Sequence, residues 1–564
     1  MLNWLAKPPS KPAESLDSLD SEKGLKAFWA RLPSTDCVRA LEAVSEPFEK
    51  SASLNMRPDR LRHVLKQLDE RAQEIAGAVW ARLFEAKDPN TISDTAWLVL
   101  VRYYRNVHTG YRVCLDALPA RESLSSADRA DAILLASRAM SALGTHKALL
   151  RLRHRDPEPQ YWVQLNNLAA WMAPFGKTQK LIELYTGSAY HSNADREYLI
   201  ALIFDVAPVA NMLPNQIAAL DLILRQFSEH YYFSANFGAE TPFTVDRVRA
   251  QAPQRWLKGL ALRPGQIFFG LGAAYSQLTT LLKDARASGQ VPSWLAVSRA
   301  DTGQYCQLLE LLLAHWSVDP PKRRLRRESR DGELLVAHGI DRVRRMIAAG
   351  EFAKAGKQLN YEDYKVLTRK IAGTIDFDTY EARVPVVAEG SKLLSPMEVL
   401  QRLEIDQQVA ERWTIADISE NGIGAVANAH GGWALAGMLV GYRRMDSLDW
   451  KVGVISRLTR SAKGKLSFGL ETFAGKVRAA RVSFGEPDPT DTWISTGSGS
   501  KGMHNAILLD SGGSTTLLLA LDVFSIAGEY KVSYDQRWRK VRLDRILKRG
   551  YDYEEIEVST PAGI

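Results

Sequence analysis

The stretch Trp413-Thr-Ile-Ala-Asp417-Ile-Ser419-Glu-Asn-Gly422-Ile-Gly424 decides the reading of this chain. Apolar Trp413 and Ile415 alternate with Thr414 and Ala416, the period of a short half-buried strand. Asp-x-Ser-x-x-Gly then supplies turn chemistry. The Asp417 and Ser419 side chains can bond nearby backbone amides, and glycine at 422 admits a positive φ. Ile423 and Val426 restart an apolar run. Taken alone, the segment predicts a β-hairpin with ordinary turn residues.

Upstream lies Pro320-Pro321-Lys322-Arg323-Arg324-Leu325-Arg326-Arg327-Glu328-Ser329-Arg330, six cations and one anion in nine positions after two prolines. The prolines disfavour helix and predict an extended linker. Arg-x-x-x-Arg occurs in two frames, Arg323 with Arg327 and Arg326 with Arg330. Downstream, Leu439–Arg443, Trp450–Ile455 and Leu466–Glu471 read as strands. Trp450, followed by Val452, Val454 and Leu458, reads as core rather than as a stacking platform, and Arg443, Arg444, Arg457 and Arg460 as outward strand positions.

An arginine pair followed by Asp-x-Ser-x-x-Gly and these strands resembles the PilZ domain, the bacterial receptor module for cyclic di-GMP. The resemblance covers about residues 321–481 and implies an antiparallel β-barrel. It also implies that Arg323, Arg327, Asp417, Ser419 and Gly422 bind the dinucleotide, with Arg324, Arg326 and Arg330 as possible additional contacts. The ligand's chemistry suits these residue types. Its two phosphates and two guanine edges match the planar arginine fork, which donates two parallel bonds. Asp417 is an acceptor for guanine N–H groups, the Ser419 hydroxyl can reach a phosphate, and Gly422 lets the backbone come close. One departure from the family pattern stands out: 89 residues, 328 to 416, separate Arg327 from Asp417.

The whole chain bounds the rest. At 564 residues it predicts two to four domains. Apolar residues make up 46% and charged residues 24%, a globular composition. The formal charge of +8 permits an anionic ligand without demanding nucleic acid, and the basic run lacks aromatics and any recognition motif. Cys37, Cys114 and Cys306 lie far apart, which disfavours disulfides or zinc and fits a cytoplasmic setting. A signal peptide is not expected, and Tyr198–Leu213, broken by Asp205 and Pro208, is too short to span a bilayer.

Residues 1–24 read as a disordered tail. Residues 25–317 have helical period nearly throughout, as in Leu61, Val64, Leu65, Leu68, Ala72, Ile75 and Val79, and predict an α-helical domain offering a surface to an unidentified protein partner. Residues 318–481 form the PilZ-like barrel, opening with Glu333–His338 and carrying a helical insertion at about 339–410. Within that insertion Ser395-Pro396-Met397-Glu398 is a capping box. Residues 482–564 read as a small C-terminal β-rich extension, with a hairpin across Ser511–Ser514. The fold class is thus multidomain α+β, an all-α N-terminal domain followed by a PilZ-like barrel.

Other motifs carry no chemistry. Gly497–Gly502 matches G-x-G-x-x-G but precedes a strand-like run instead of a helix. Gly176-Lys177-Thr178 lacks the earlier glycine of a phosphate-binding loop. No nucleophile elbow or metal spacing occurs, so the expectation is a non-enzyme without cofactor or metal. The expected function is a cyclic di-GMP effector whose barrel alters its orientation or partner binding relative to the helical domain. The alternative is a scaffold whose PilZ-like fold binds no nucleotide.

Overall fold

A computed structural model of the chain describes residues 16–84, 90–119, 123–175, 180–249, 251–257, 262–298, 302–320, 328–329, 331–354, 395, 397–398, 400–401, 411–428, 433–461, 464–483, 503–524, 527–534 and 537–559. Two units divide it, Met1–Pro321 and Lys322–Ile564.

The first unit is helical. Its helices are α1 (Glu22–Arg31), α2 (Cys37–Glu49), α3 (Pro58–Ala81), α4 (Asp94–Asp116), α5 (Ser126–Arg151), α6 (Gln160–Met172), α7 (Ala194–Asp205), α8 (Pro214–Gln226), α9 (Ala274–Ser288) and α10 (Thr302–Trp316). Side chains of Ser21, Asp36, Ser93, Ser125 and Asn193 accept the amide two or three residues into the helix each precedes, satisfying donors the helix itself leaves open. Proline starts α3 and α8, where its missing N–H costs nothing. Leu16–Asp20, read above as tail, instead forms a 3-10 turn. Leu19 is 1% exposed in the core, and the Arg60 Nε donates to the Asp20 carbonyl at 2.9 Å. The apolar pair three residues apart, Leu16 and Leu19, gave that turn one buried side, which the surrounding acidic composition masked.

Helix α5 runs through the middle of this unit, with Leu135, Ala139, Met140, Leu143 and Leu149 buried around it. Buried charges on and beside it are paired. Arg138 donates from Nε to the Leu184 carbonyl at 2.6 Å and pairs with Glu70. Asp69, fully buried on α3, accepts from Tyr103 Oη at 2.7 Å and Tyr111 Oη at 2.6 Å. Lys147 pairs with Asp205 and lies 4.3 Å over the Trp162 ring. Burial pushes its ammonium down to about 8, against the pull of Asp205. The unit also carries β-structure that its sequence did not announce: a two-stranded ribbon, β1 (Ile182–Glu183) with β2 (His191–Ser192), and an antiparallel sheet of β3 (Tyr232–Ser234), β4 (Phe243–Asp246), β5 (Gln254–Arg255) and β6 (Gln266–Gly270), ordered β3-β6-β4-β5. None of the helices among the described residues is long and apolar enough to cross a membrane.

The second unit holds two closed antiparallel barrels. The first uses β8 (Glu333–His338), β9 (Glu411–Ser419), β10 (Gly422–Asn428), β11 (Leu439–Arg444), β12 (Lys451–Arg460) and β13 (Lys465–Thr472), in the order β10-β13-β12-β11-β8-β9, closed by β9 pairing with β10. A two-residue strand, β7 (Glu328–Ser329), adds to β9. The second barrel is β14 (Lys476–Ser483), β15 (Met503–Asp510), β16 (Thr515–Leu519), β19 (Glu554–Ser559), β18 (Arg537–Arg549) and β17 (Gly528–Tyr534), in that closed order. The C-terminal region is therefore a full barrel, and Lys476–Ser483, assigned above to the first barrel, is its opening strand. Each of its pairing partners lies downstream, out of reach of a local pattern.

Helix α11 (Ile340–Lys354) sits between the barrels and explains why β8 is apolar without alternation. Leu334 and Val336 point into the first barrel with Trp413, Val440, Ile455 and Phe468. Leu335 and Ala337 point outward, against Val343, Met346 and Ile347 of α11 and Ile507 and Leu509 of the second barrel. A strand buried on both faces reads as a continuous apolar run. Arg344 of α11 donates from Nε to the Ala480 carbonyl at 2.9 Å; burial, aided by Arg481, pushes its guanidinium down to about 9. Asp552, in the β18–β19 loop, accepts the Leu439 N–H at 2.8 Å and so clasps the second barrel to β11. Burial pushes this carboxyl up to about 6.

Candidate functional site

The hairpin of β9 and β10 carries the motif, and the barrel interior sets its position. Trp413 is fully buried, its ring stacked on Phe468 with centroids 3.8 Å apart. Glu411 accepts the Trp413 indole N–H at 3.2 Å and the Trp433 indole N–H at 2.7 Å, which holds the start of β9. Ile415 pairs with Ala425, but Asp417 pairs with Gly424, so Ala416 is an extra residue on β9. This bulge resets the alternation. Ile415 and Ile418 both face the core, whereas Asp417 and Ser419 share the outer face.

Ser419 pairs with Gly422 across a two-residue loop, and its hydroxyl donates to the Gly422 carbonyl at 3.2 Å. Gly422 does not adopt the positive φ expected for it. It is a strand residue between Ser419 and Glu471, and what excludes a larger side chain is space. A Cβ there would lie 3.0 Å from the Leu470 carbonyl oxygen and 3.3 Å from Ser419 Oγ. Gly424 is tighter still, because a Cβ would lie 2.6 Å from Asp417 Oδ1, 2.8 Å from its Cγ and 2.9 Å from Oδ2. The Asp417 carboxylate thus rests on the bare backbone of its cross-strand partner. Sequence reasoning gave Gly424 no role; its only signal was a second glycine two residues after Gly422.

The basic arm meets this hairpin. Glu328 pairs with Ile418 and Ser329 with Asp417, which makes the segment that follows the arginine run an added strand beside the motif. Three residues separate Ser329 from Glu333 but two separate Thr414 from Asp417, so the register on β9 differs by one between β7 and β8. Arg323, Arg324, Arg326, Arg327 and Arg330 lie outside the described residues. So do residues 355–394 of the expected helical insertion, the Gly497–Gly502 match and Gly176–Thr178. Of the insertion, the capping box is present: the Ser395 N–H donates to Glu398 Oε2 at 2.8 Å and the Glu398 N–H to Ser395 Oγ at 3.3 Å.

Other cations of the barrel differ in role. Arg443, 1% exposed, donates from Nη1 to the carbonyls of Arg444 at 3.0 Å and Ser447 at 2.9 Å, so it builds the β11–β12 turn. Arg444 pairs with Asp446. Trp450 is core, as expected. Glu471, beside Gly422, lies 3.7 Å from Lys548 of the second barrel. Among the described residues no group of His, Cys, Asp and Glu side chains is arranged to hold a metal ion.

By architecture this is a multidomain α+β protein, a helical unit followed by tandem closed antiparallel barrels. Over residues 23–236, within the helical unit, the chain matches the family model described as "Cyclic-di-GMP receptor FimW, N-terminal domain". The match covers less than half of the chain and stops short of both barrels. No curated protein matches the chain.

Proposed function

We propose that this chain is a cyclic di-GMP-binding effector whose dinucleotide site is the outer face of the β9–β10 hairpin together with the arginine arm. The observation that carries the reading is the pairing of Glu328 and Ser329 with Ile418 and Asp417. Arg327 is the covalent neighbour of Glu328, and Arg323 is five residues from it, within roughly 18 Å of fully extended chain. That pairing supports a reading in which both frames of the arginine run serve the Asp417–Ser419 edge, despite the 89 intervening residues. The match of the helical unit to a receptor family whose name includes this ligand supports cyclic di-GMP as the ligand.

In this reading Arg323 and Arg327 grip phosphate and guanine from one side, with Arg324, Arg326 and Arg330 able to supplement them. Asp417 accepts guanine N–H groups, Ser419 reaches a phosphate, and Gly422 admits close approach. The arm begins at the division between the two units, Pro321/Lys322. Capture of the dinucleotide by the arm would thereby change the orientation or the partner binding of the helical unit, a hinge-type switch. We place the protein in the cytoplasm and assign it no enzymatic step. Isothermal titration of the full chain with cyclic di-GMP, beside GTP and cyclic di-AMP, tests the reading. Saturable binding selective for cyclic di-GMP is expected; absence of heat and of any thermal shift would overturn it.

A further inference from the structure

The face proposed above has a second rim that the Asp-x-Ser-x-x-Gly motif does not include. Asp417 pairs with Gly424, Gly424 with Gly469, and Gly469 with Arg457, one row across β9, β10, β13 and β12. Directly paired residues share a face of the sheet. Here it is the outer face, because Ile418, Ile423, Leu470 and Leu458, one position along on each strand, pack into the core. The neighbouring row is Ser419, Gly422 and Glu471. Gly422, Gly424 and Gly469 therefore leave a floor of bare backbone. Three strand spacings, about 14 Å, separate the β9 and β12 backbones that bound it.

Two side chains of opposite charge lie over that floor. Asp417 rests on Gly424, and Arg457 folds back over Gly469, its Nε 3.7 Å from where a glycine Cβ would be. Arg457 is half-buried, with its Cβ 3.2 Å from that same point. Guanine is complementary to this pair. Its N1–H and N2–H groups donate to a carboxylate, and its O6 and N7 accept the two bonds of an arginine fork. Adenine presents an N6 donor where guanine has O6, and so opposes a guanidinium.

We propose that Arg457 reads the guanine base on this floor, donating to O6 and N7 while Asp417 accepts from N1–H and N2–H. Arg457 is then the residue that selects guanine over adenine. The inference rests on the cyclic di-GMP reading of this face and adds to it a position on another strand, 40 residues beyond Asp417.

The test is titration of the full-length protein and of Arg457→Ala and Arg457→Lys with cyclic di-GMP and cyclic di-AMP. Melting temperatures are recorded alongside. The wild type is expected to prefer cyclic di-GMP. Arg457→Ala should lose about tenfold or more in affinity for cyclic di-GMP with a much smaller change for cyclic di-AMP. Arg457→Lys keeps the charge without the fork, and should also narrow the preference. It decides the matter should the alanine variant melt early. Wild-type selectivity in both variants would overturn the role of Arg457 and leave the receptor reading standing. A wild type that binds no cyclic di-GMP would overturn both.

Discussion

Replacing Gly424 with alanine puts a methyl group into space held by the Asp417 carboxylate. The added carbon would lie 2.6 Å from Oδ1, 2.8 Å from Cγ and 2.9 Å from Oδ2. A carbon–oxygen contact relaxes at about 3.4 Å, so the carboxylate must retreat by roughly 0.8 Å. Its side chain is half-buried and ends on the outer face, which lets it swing away. Alanine in a strand also carries less unfolded-state entropy than glycine, about 0.5–1 kcal/mol in favour of the variant. Stability should therefore change by less than about 1 kcal/mol. Binding should not be spared. A hydrogen bond to a charged group contributes about 1.5–3 kcal/mol, so a displaced carboxylate should weaken cyclic di-GMP about 10- to 150-fold. Titration calorimetry and a thermal melt on the same sample read the two effects separately. Wild-type affinity in Gly424→Ala would refute the use of Asp417 as a guanine acceptor. Lost affinity accompanied by a large fall in melting temperature would show that Asp417 serves the hairpin and not the ligand.

Arg323→Ala and Arg327→Ala should each cost about 1–3 kcal/mol of cyclic di-GMP binding with no change in melting temperature, and wild-type affinity in both would shift the assignment to Arg326 and Arg330. Asp552 should make the second unit less stable as pH rises. Its folded pKa of about 6 lies above the ordinary 3.8, so its stabilising contribution is complete below about pH 4 and is lost as pH passes 6. The span is at most about 3 kcal/mol, reduced by the solvent that still reaches the carboxyl. Asp552→Asn keeps an acceptor for the Leu439 N–H and should flatten this slope in denaturant titrations between pH 4 and 7; an unchanged slope would place the titration elsewhere. In the helical unit, Asp69→Ala leaves the Tyr103 and Tyr111 hydroxyls buried without their acceptor and removes one of the two carboxylates beside Arg138; it should destabilise by about 3–5 kcal/mol, measured by chemical denaturation.

Much of this architecture is legible in local pattern because local pattern is what built it. The caps at Ser93 and Ser125, the proline starts of α3 and α8, and the capping box at Ser395 each act within one turn of chain. The β9–β10 hairpin is similarly local. What escaped depends on partners distant in sequence. Arg537–Arg549 carries seven cations and no apolar alternation, and becomes a strand because β17 and β19 flank it. The role of Gly424 needs the register across β9 and β10, including the bulge at Ala416, which no residue type at 416 signals. The link between Ser329 and Asp417 is a pairing across 87 residues, 330 to 416. The arginine run looked remote from the motif only because sequence distance says nothing about sheet neighbours.

The helix wedged between the barrels limits how this chain can be cut and reused. Leu335, Ala337, Leu439, Trp450, Val452 and Val454 form an outer face of the first barrel that is covered by α11 and, with it, by Ile507, Leu509, Leu518 and Tyr553 of the second. A fragment ending after β13 would keep every residue of the Asp417 hairpin yet present this apolar patch to water, an invitation to self-association. The first barrel is thus not a transferable module. Transplanting the proposed dinucleotide site into another protein requires both barrels, and gene fusions or evolutionary duplications that preserve the site should inherit the pair as a single block.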